Sequence, residues 1–428
     1  MTGRRGSPAR ALWLALLLCA TLAACGGGGS GDSSTGSATT SGGSSSNVTP
    51  STGANNPTTY AVAQSTTPNQ VAVNVGQLAT RTPNMLTTSV TVCVPNTPTC
   101  TTIDNVQVDT GSAGLRLLAS ALPSGMTLPA VNAGSGTSVA GECLVFGSGY
   151  TWGAVRLADV KLAGEAAASL PIQVIADPAV PSTAPSSCSS ASAIAMDDAS
   201  TLHVNGILGV GLFNADCGTS CANMVITPWY YACASGTCNP SAQPLAHQVA
   251  NPVAAFATDN NGVEITLPTV GSNGAAAVTG TLTFGIGTQA NNVLGSATVL
   301  RTNKSTGYVK TTTSDGAVYT RSYLDSGSNA FFFSSSTASL CSGGWLCPSS
   351  PLSLSATING TDGVAASTTF TVANAQTLFN TNNWAYSNLA AYNGSAFGWG
   401  LPFFFGKTVF TAIEGQLTSV GNGPYFAF

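Results

Sequence analysis

The chain has 428 residues, 43% of them apolar and only 7% charged, with 12 Lys and Arg, 16 Asp and Glu, and two His. Length and apolar content allow one large domain or two linked lobes with their own cores, and they exclude wholesale disorder. So few basic residues exclude nucleic-acid binding through a basic surface, and a charge content far below the roughly 25% of average soluble proteins argues against a charged cytosolic enzyme.

The chain opens on an address. Arg4, Arg5 and Arg10 form a basic head, residues 11–20 are an apolar run too short to span as a stable helix, and Leu22-Ala23-Ala24-Cys25 follow. Residues 1–24 therefore read as a signal peptide. Its last residues with Cys25 resemble a bacterial lipobox, which implies cleavage before Cys25 and acylation of its thiol. An ordinary signal peptide cut after Ala24 or Ala20 is the other reading. Gly26, where inner-membrane lipoproteins often carry Asp, points to the outer membrane. Residues 25–58 are almost entirely Gly, Ser, Thr and Asn and read as a flexible tether from that anchor. Asn47-Val48-Thr49 matches a glycosylation acceptor by chance. The leader carries three Arg and no acid, so its removal leaves nine basic against 16 acidic side chains, a net −7.

Beyond the tether the pattern is strand-like. Residues 71–75, 89–94, 106–108, 154–157 and 280–285 alternate or run apolar, and Pro95 to Pro98 turn the chain. Turn residues recur every 8 to 12 positions or so, and 48 Gly with 22 Pro suit short strands, so the fold class is mostly β. Short helices are expected near residues 252–257 and 378–389. Two lobes are expected, at residues 59–290 and 291–428.

Twelve Cys are present. Cys19 leaves with the leader and Cys25 takes the lipid, so ten remain in an oxidising compartment, where five disulfides are the natural outcome. Cys93 with Cys100, Cys217 with Cys221, Cys233 with Cys238 and Cys341 with Cys347 are close in sequence; Cys143 and Cys188 are left over. Zinc at the Cys217 to Cys238 cluster is the rival reading, disfavoured by the compartment and scarce His.

One short sequence occurs twice: Val108-Asp109-Thr110-Gly111-Ser112 and Leu324-Asp325-Ser326-Gly327-Ser328. Each follows a strand-like run and precedes apolar residues. The spacing suggests two related lobes. Glycine allows a tight loop with close backbone approach, and the hydroxyls can hold a carboxylate by hydrogen bonds. Two such carboxylates facing each other repel and share one proton, giving a general base for water beside a general acid.

At these residues the chain resembles the pepsin-like aspartic peptidases. Val204-Asn205-Gly206-Ile207-Leu208-Gly209 is similar to the family's apolar-apolar-Gly segment beneath the first loop. Residues 147–164 resemble its flap hairpin and following strand, residues 280–287 its interlobe strand, and residues 397–410 its second apolar-apolar-Gly unit, with the register around Gly398 and Gly400 open. The chain is also similar to a family of bacterial lipoproteins of uncharacterised function that share Asp-Thr-Gly-Ser-Ala-Gly-Leu-Arg and Gly-Leu-Pro-Phe-Phe-Phe-Gly.

The resemblance implies a bilobal fold with Asp109 and Asp325 as the catalytic dyad. Thr110 and Ser326 would brace the loops, Gly111 and Gly327 would allow their approach, and Ser112 and Ser328 would bond the outer carboxylate oxygens. Phe146, Gly147, Ser148 and Gly149 would form the flap over the cleft. It further implies a monomer that hydrolyses peptides or proteins at an acidic optimum without cofactor or metal, touching the membrane only through its anchor.

Three departures stand out. Phe146 replaces the usual flap Tyr, Arg116 the Trp after the first loop, and Thr411 the Asp after the second unit. They leave open a non-catalytic envelope binding or adhesion protein on the same fold. No Gly-x-Ser-x-Gly marks a serine nucleophile, and His203 and His247 read as loop or surface residues. Arg116 reads equally as a polar residue at the cleft rim or as a partner for a buried acid. Phe331 to Phe333 and Phe403 to Phe405 read as core, while Tyr150 and Trp152 either touch a ligand or close the flap hairpin.

Overall fold

The computed structural model describes residues 67–134 and 136–428. The expected leader, Cys25, tether and Asn47 lie outside them. Alternating Val71, Val73 and Val75 fall in β1 (Gln70–Val75). β2 (Thr87–Cys93) and β3 (Cys100–Asp109) form a hairpin turned by Pro95 to Pro98 and clipped by Cys93–Cys100. Then follow β4 (Ala113–Leu118), β5 (Val139–Val145), β6 (Tyr150–Leu162), β7 (Glu165–Ile175), β8 (Gly206–Val210), β9 (Tyr230–Ala234), β10 (Thr237–Pro240), β11 (Gly262–Leu267) and β12 (Val278–Phe284).

The second half holds β13 (Val299–Arg301), β14 (Val309–Thr313), β15 (Val318–Leu324), β16 (Phe331–Phe333), β17 (Leu352–Asn359), β18 (Ala365–Val372), β19 (Ala390–Tyr392), β20 (Phe397–Trp399) and β21 (Lys407–Ala412). A small hairpin of β22 (Leu417–Thr418) and β23 (Gly421–Asn422) precedes β24 (Tyr425–Ala427).

These strands build a mostly β fold in two lobes, carried by two large sheets. The larger sheet runs β10-β9-β5-β6-β7-β4-β8-β3-β2-β1-β12-β11-β21-β24-β13, and the second runs β18-β17-β14-β15-β20-β16-β19. Residue 290 falls between β12 and β13 but does not separate the sheets. β21 pairs with β11, and β24 pairs with β21 and β13, so the last strands return to the larger sheet.

Aromatic packing holds the second lobe. Phe331, Phe370, Phe397 and Trp399 meet with ring centroids 4.3–5.9 Å apart and tie β16, β18 and β20 together. Each fully buried Phe contributes about 1.5–3 kcal/mol. Phe331, Phe333 and Phe403 to Phe405 are core, while Phe332 between them is only half-buried.

Helix is scarce. The expected segment at 252–257 is one 3-10 turn, Val253–Ala255. The expected helix at 378–389 is corrected: only Ala375–Phe379 is helical, capped by the Asn374 side chain. Asn380, Thr381, Asn382 and Asn383 then favour turns over further helix. Ala385 bridges to Ala275 in strand fashion. Among the described residues no helix is long and apolar enough to cross a membrane.

All ten Cys of the described part are paired. Cys143 joins Cys188, and the four close pairs bond as their spacing suggests.

Candidate active site

Each Asp loop is built by three strands. β3 runs into the Asp109 loop and returns as β4, while β8 inserts between them, parallel to β3 and antiparallel to β4. β15, the Asp325 loop and β16 repeat this arrangement around β20. The inserted strand passes directly beneath the loop, which explains its glycines. A Cβ on Gly209 would fall 2.8 Å from Ser112 Oγ, and one on Gly400 would fall 2.6 Å from the Ser328 carbonyl oxygen. Asp109 is opposite Gly209, and Asp325 N–H bonds the Trp399 carbonyl, so Gly400 is the glycine of the second unit.

The same hydrogen bonds fix both carboxylates. Gly111 N–H donates to Asp109 Oδ1 at 2.7 Å and Ser112 Oγ to Oδ2 at 2.5 Å. Gly327 N–H donates to Asp325 Oδ1 at 2.8 Å and Ser328 Oγ to Oδ2 at 2.6 Å. The loops are laced across the lobe boundary. Ser326 N–H donates to Thr110 Oγ1 at 2.9 Å, Thr110 N–H to Ser326 Oγ at 3.2 Å, and Ser326 Oγ to the Val108 carbonyl at 2.8 Å. Gln107 reaches across to the Gly327 carbonyl at 2.8 Å. Buried polar groups satisfied in this way hold one geometry.

The carboxylates face each other. A Cβ on Gly111 would fall 2.6 Å from Asp325 Cγ, and one on Gly327 would fall 2.5 Å from Asp109 Oδ1. Surrounding protein raises the Asp325 pKa first, and the nearby Asp109 carboxylate adds to the rise, reaching about 8 against the bonds from Ser328 and Gly327. Asp325 still lines an open cleft, so burial here means encirclement by protein rather than sealing from water. The pair can therefore carry one proton between them, held by Asp325.

The dyad lies on the floor of a cleft of about 640 Å³. Leu144, Val145, Phe146 and Gly147 line it, as do Leu212, Phe213, Trp229, Tyr308, Arg321, Tyr323, Asn393 and Ser395. Phe146 and Gly147 are at the tip of the β5–β6 hairpin, closed by Phe146 N–H to the Gly149 carbonyl at 2.8 Å. Ser148 and Gly149 turn elsewhere. Ser148 Oγ contacts Met196 Sδ at 3.3 Å, and Gly149 is packed against Ile194 and Met196. Tyr150 and Trp152 close the hairpin: both are buried beside Cys143–Cys188 and Tyr231.

Arg116 is wholly buried, which decides between its two readings. Its Nη2 contacts Glu142 Oε1 at 2.6 Å and Asp216 Oδ2 at 3.1 Å, and Nη1 donates to the Ala113 carbonyl at 2.8 Å. Tyr230 donates to Asp216 Oδ1 at 2.6 Å. Burial opposes the Arg116 charge, but Glu142 and Asp216 outweigh it and raise its pKa. Burial and then the Glu142 charge raise the Asp216 pKa well above its ordinary value, against the pull of Arg116 and the Tyr230 hydrogen bond. The cluster joins the exit of the first Asp loop to the stem of the flap.

Sequence reasoning missed Glu142, Asp216, Trp229, Tyr308, Arg321 and Tyr323. The signal for the first two was Arg116 within the apolar run Leu115 to Leu118, since a buried cation requires acids. His203 caps a short helix and His247 ends a 3-10 turn; neither lines the cleft. Thr411 is buried in β21.

No curated protein matches the sequence. Among solved structures, the chain is similar to the aspartic proteinase from Irpex lacteus, at 17% identity with 83% of this chain and 96% of that chain covered and a TM-score of 0.48. Over residues 65–428 the sequence matches the family described as Protein of unknown function (DUF3443), and the chain belongs to that family.

Proposed function

We propose that the protein is an exported, lipid-anchored aspartic endopeptidase in which Asp109 and Asp325 hydrolyse peptide bonds through an activated water. The observation that carries this reading is the mutual seating of the loops, with each glycine against the other loop's carboxylate. Structural ion pairs also bring acids together, as around Arg116. They do not place two identically bonded carboxylates on the floor of an open cleft.

The chemistry follows from one proton on two acids. Asp325 holds the proton and Asp109 accepts. The water oxygen bonds the scissile carbonyl carbon, Asp109 takes a water proton, and Asp325 gives its proton to the carbonyl oxygen. The neutral diol then collapses. The C–N bond breaks, Asp109 passes its proton to the departing nitrogen, and a diol proton returns to Asp325. The fixed bonds from Gly111, Ser112, Gly327 and Ser328 limit reorganisation during these transfers.

Phe146 can cover a bound strand by apolar contact but offers no hydroxyl to it. That feature favours the second reading, a binding or adhesion protein without turnover. Peptide-library cleavage by the full chain, beside Asp109→Asn and Asp325→Asn, separates them. Acidic-to-neutral cleavage lost in both variants supports the peptidase. Wild type that binds peptides without cutting them supports the alternative.

Cys25 would anchor the chain in the envelope, with residues 25–58 as tether and the outer membrane as destination. Cys25→Ser protein should leave the membrane fraction; unchanged retention would place the anchor elsewhere.

A further inference from the structure

Alternation along β15 buries Ser322 and Leu324 and leaves Arg321 and Tyr323 on the other face, in line with Asp325. This row runs along the wall of the cleft. The Arg321 guanidinium carbon is 5.8 Å from the centroid of the Tyr308 ring, and the Tyr308 and Tyr323 rings are 6.1 Å apart. Arg321 also opposes the burial and the Asp325 charge that push Tyr323 up to about 12.

Arg321 has no anionic partner. Among the described residues the ion pairs involve only Arg116 and Arg156, and Arg321 donates no hydrogen bond to the protein. It is also the one cation among the described residues lining the cleft. A chain so poor in charge thus presents an exposed guanidinium, steered by an aromatic face, on the wall beside its dyad. The dyad carries net negative charge with its single proton, which by itself repels an acidic ligand. Arg321 reverses that preference locally.

We infer that Arg321 is a specificity-determining residue that receives a carboxylate of the bound peptide. The proposal rests on the peptidase reading for its cleavage readout and stands without it for binding. Arg321 and Asp325 are four positions apart, about 13 Å of extended chain. An extended substrate covers that length in about four residues, so the carboxylate belongs within roughly four positions of the scissile bond. It can come from an acidic side chain or from the peptide's own C-terminus. A planar guanidinium recognises either by paired hydrogen bonds.

The test uses the full chain and matched peptides carrying Glu or Gln at each of the four positions on either side of one cleaved bond. Each is made with a free and an amidated C-terminus. Both kcat/KM and Kd are measured for wild type, Arg321→Gln and Arg321→Glu. Wild type should favour Glu at one position about tenfold, mainly through KM and Kd. Arg321→Gln should abolish the preference, and Arg321→Glu should reverse it. A preference that follows only the free C-terminus assigns Arg321 to the terminal carboxylate. Equal Kd values for all pairs, or a Glu preference surviving in Arg321→Glu, overturns the proposal. Absence of cleavage from every peptide sinks the peptidase reading instead, and the Kd ratios then still decide the role of Arg321.

Discussion

Gly327 is seated against the Asp109 carboxylate so closely that a Cβ there would fall 2.5 Å from Oδ1, and Gly111 has the mirrored relation to Asp325. Real Cβ atoms do not approach so near, so a methyl at either position must push the opposite carboxylate aside. Gly111→Ala and Gly327→Ala should each lower kcat about 100-fold, since displacement of a reacting group by about 1 Å costs that much. Steady-state kinetics with circular dichroism check this; retained activity in a folded variant would mean the loops are not closed as described.

Asp325 sets a pH dependence of stability. Its folded pKa of about 8 lies above the about 3.9 of an unfolded Asp, so the folded state binds the proton more tightly. Its stabilising contribution is fully present below about pH 3.9 and is lost as pH rises to about 8. Asp325→Asn carries no such proton. Its Tm should match wild type near pH 4 and exceed it increasingly up to about pH 8, with no further gain above. A constant Tm difference across that range would contradict the raised pKa.

The Arg116 cluster predicts a large stability effect away from the dyad. Arg116→Met leaves Glu142 and Asp216 buried without their cation, at a cost of about 3–5 kcal/mol. Urea unfolding should show this loss, and adding Glu142→Gln with Asp216→Asn should restore part of it. A loss below about 1 kcal/mol would mean that the cluster is not sealed from water.

The loops were legible because Asp, a small hydroxyl residue, Gly and Ser recur together, and each residue type has a local task. The strands were legible where Val and Thr alternate, as in β1 and β2. The Arg116 cluster was not, because Glu142 and Asp216 lie 26 and 100 positions away, and it takes the sheet order β5-β6-β7-β4-β8 to bring them near Arg116. Arg321 was hidden for a related reason. Its place depends on which face of β15 meets the cleft, and the register shift between β14 and β15 at Val309 to Thr311 interrupts simple alternation. The helix expected at 378–389 failed because apolar residues spaced by chance suit loop anchors as well as a helix face: Tyr386 is held by Asn84 from the other half of the chain.

Cys143–Cys188 closes a 45-residue span and ties flap strand β5 to the helical turn Ser186–Ser189. The chain-entropy treatment gives such a loop about 4 kcal/mol. Cys143→Ser with Cys188→Ser should lower unfolding stability by about 2–4 kcal/mol and raise KM more than it lowers kcat, because the flap stem loosens while the Asp loops keep their bonds. Thiol titration of denatured, unreduced wild type should find no reactive thiol in the described part. One or more per chain there would count against the five pairs.

The dyad itself is tested most directly by a double-mutant comparison on one cleaved peptide. kcat/KM is measured for wild type, Asp109→Asn, Asp325→Asn and the double variant. Two carboxylates sharing one proton act as a unit, so each single change should abolish nearly all turnover and the double should be no worse than either. Losses that add in the double variant, or cleavage that survives either single change, would contradict a shared-proton dyad.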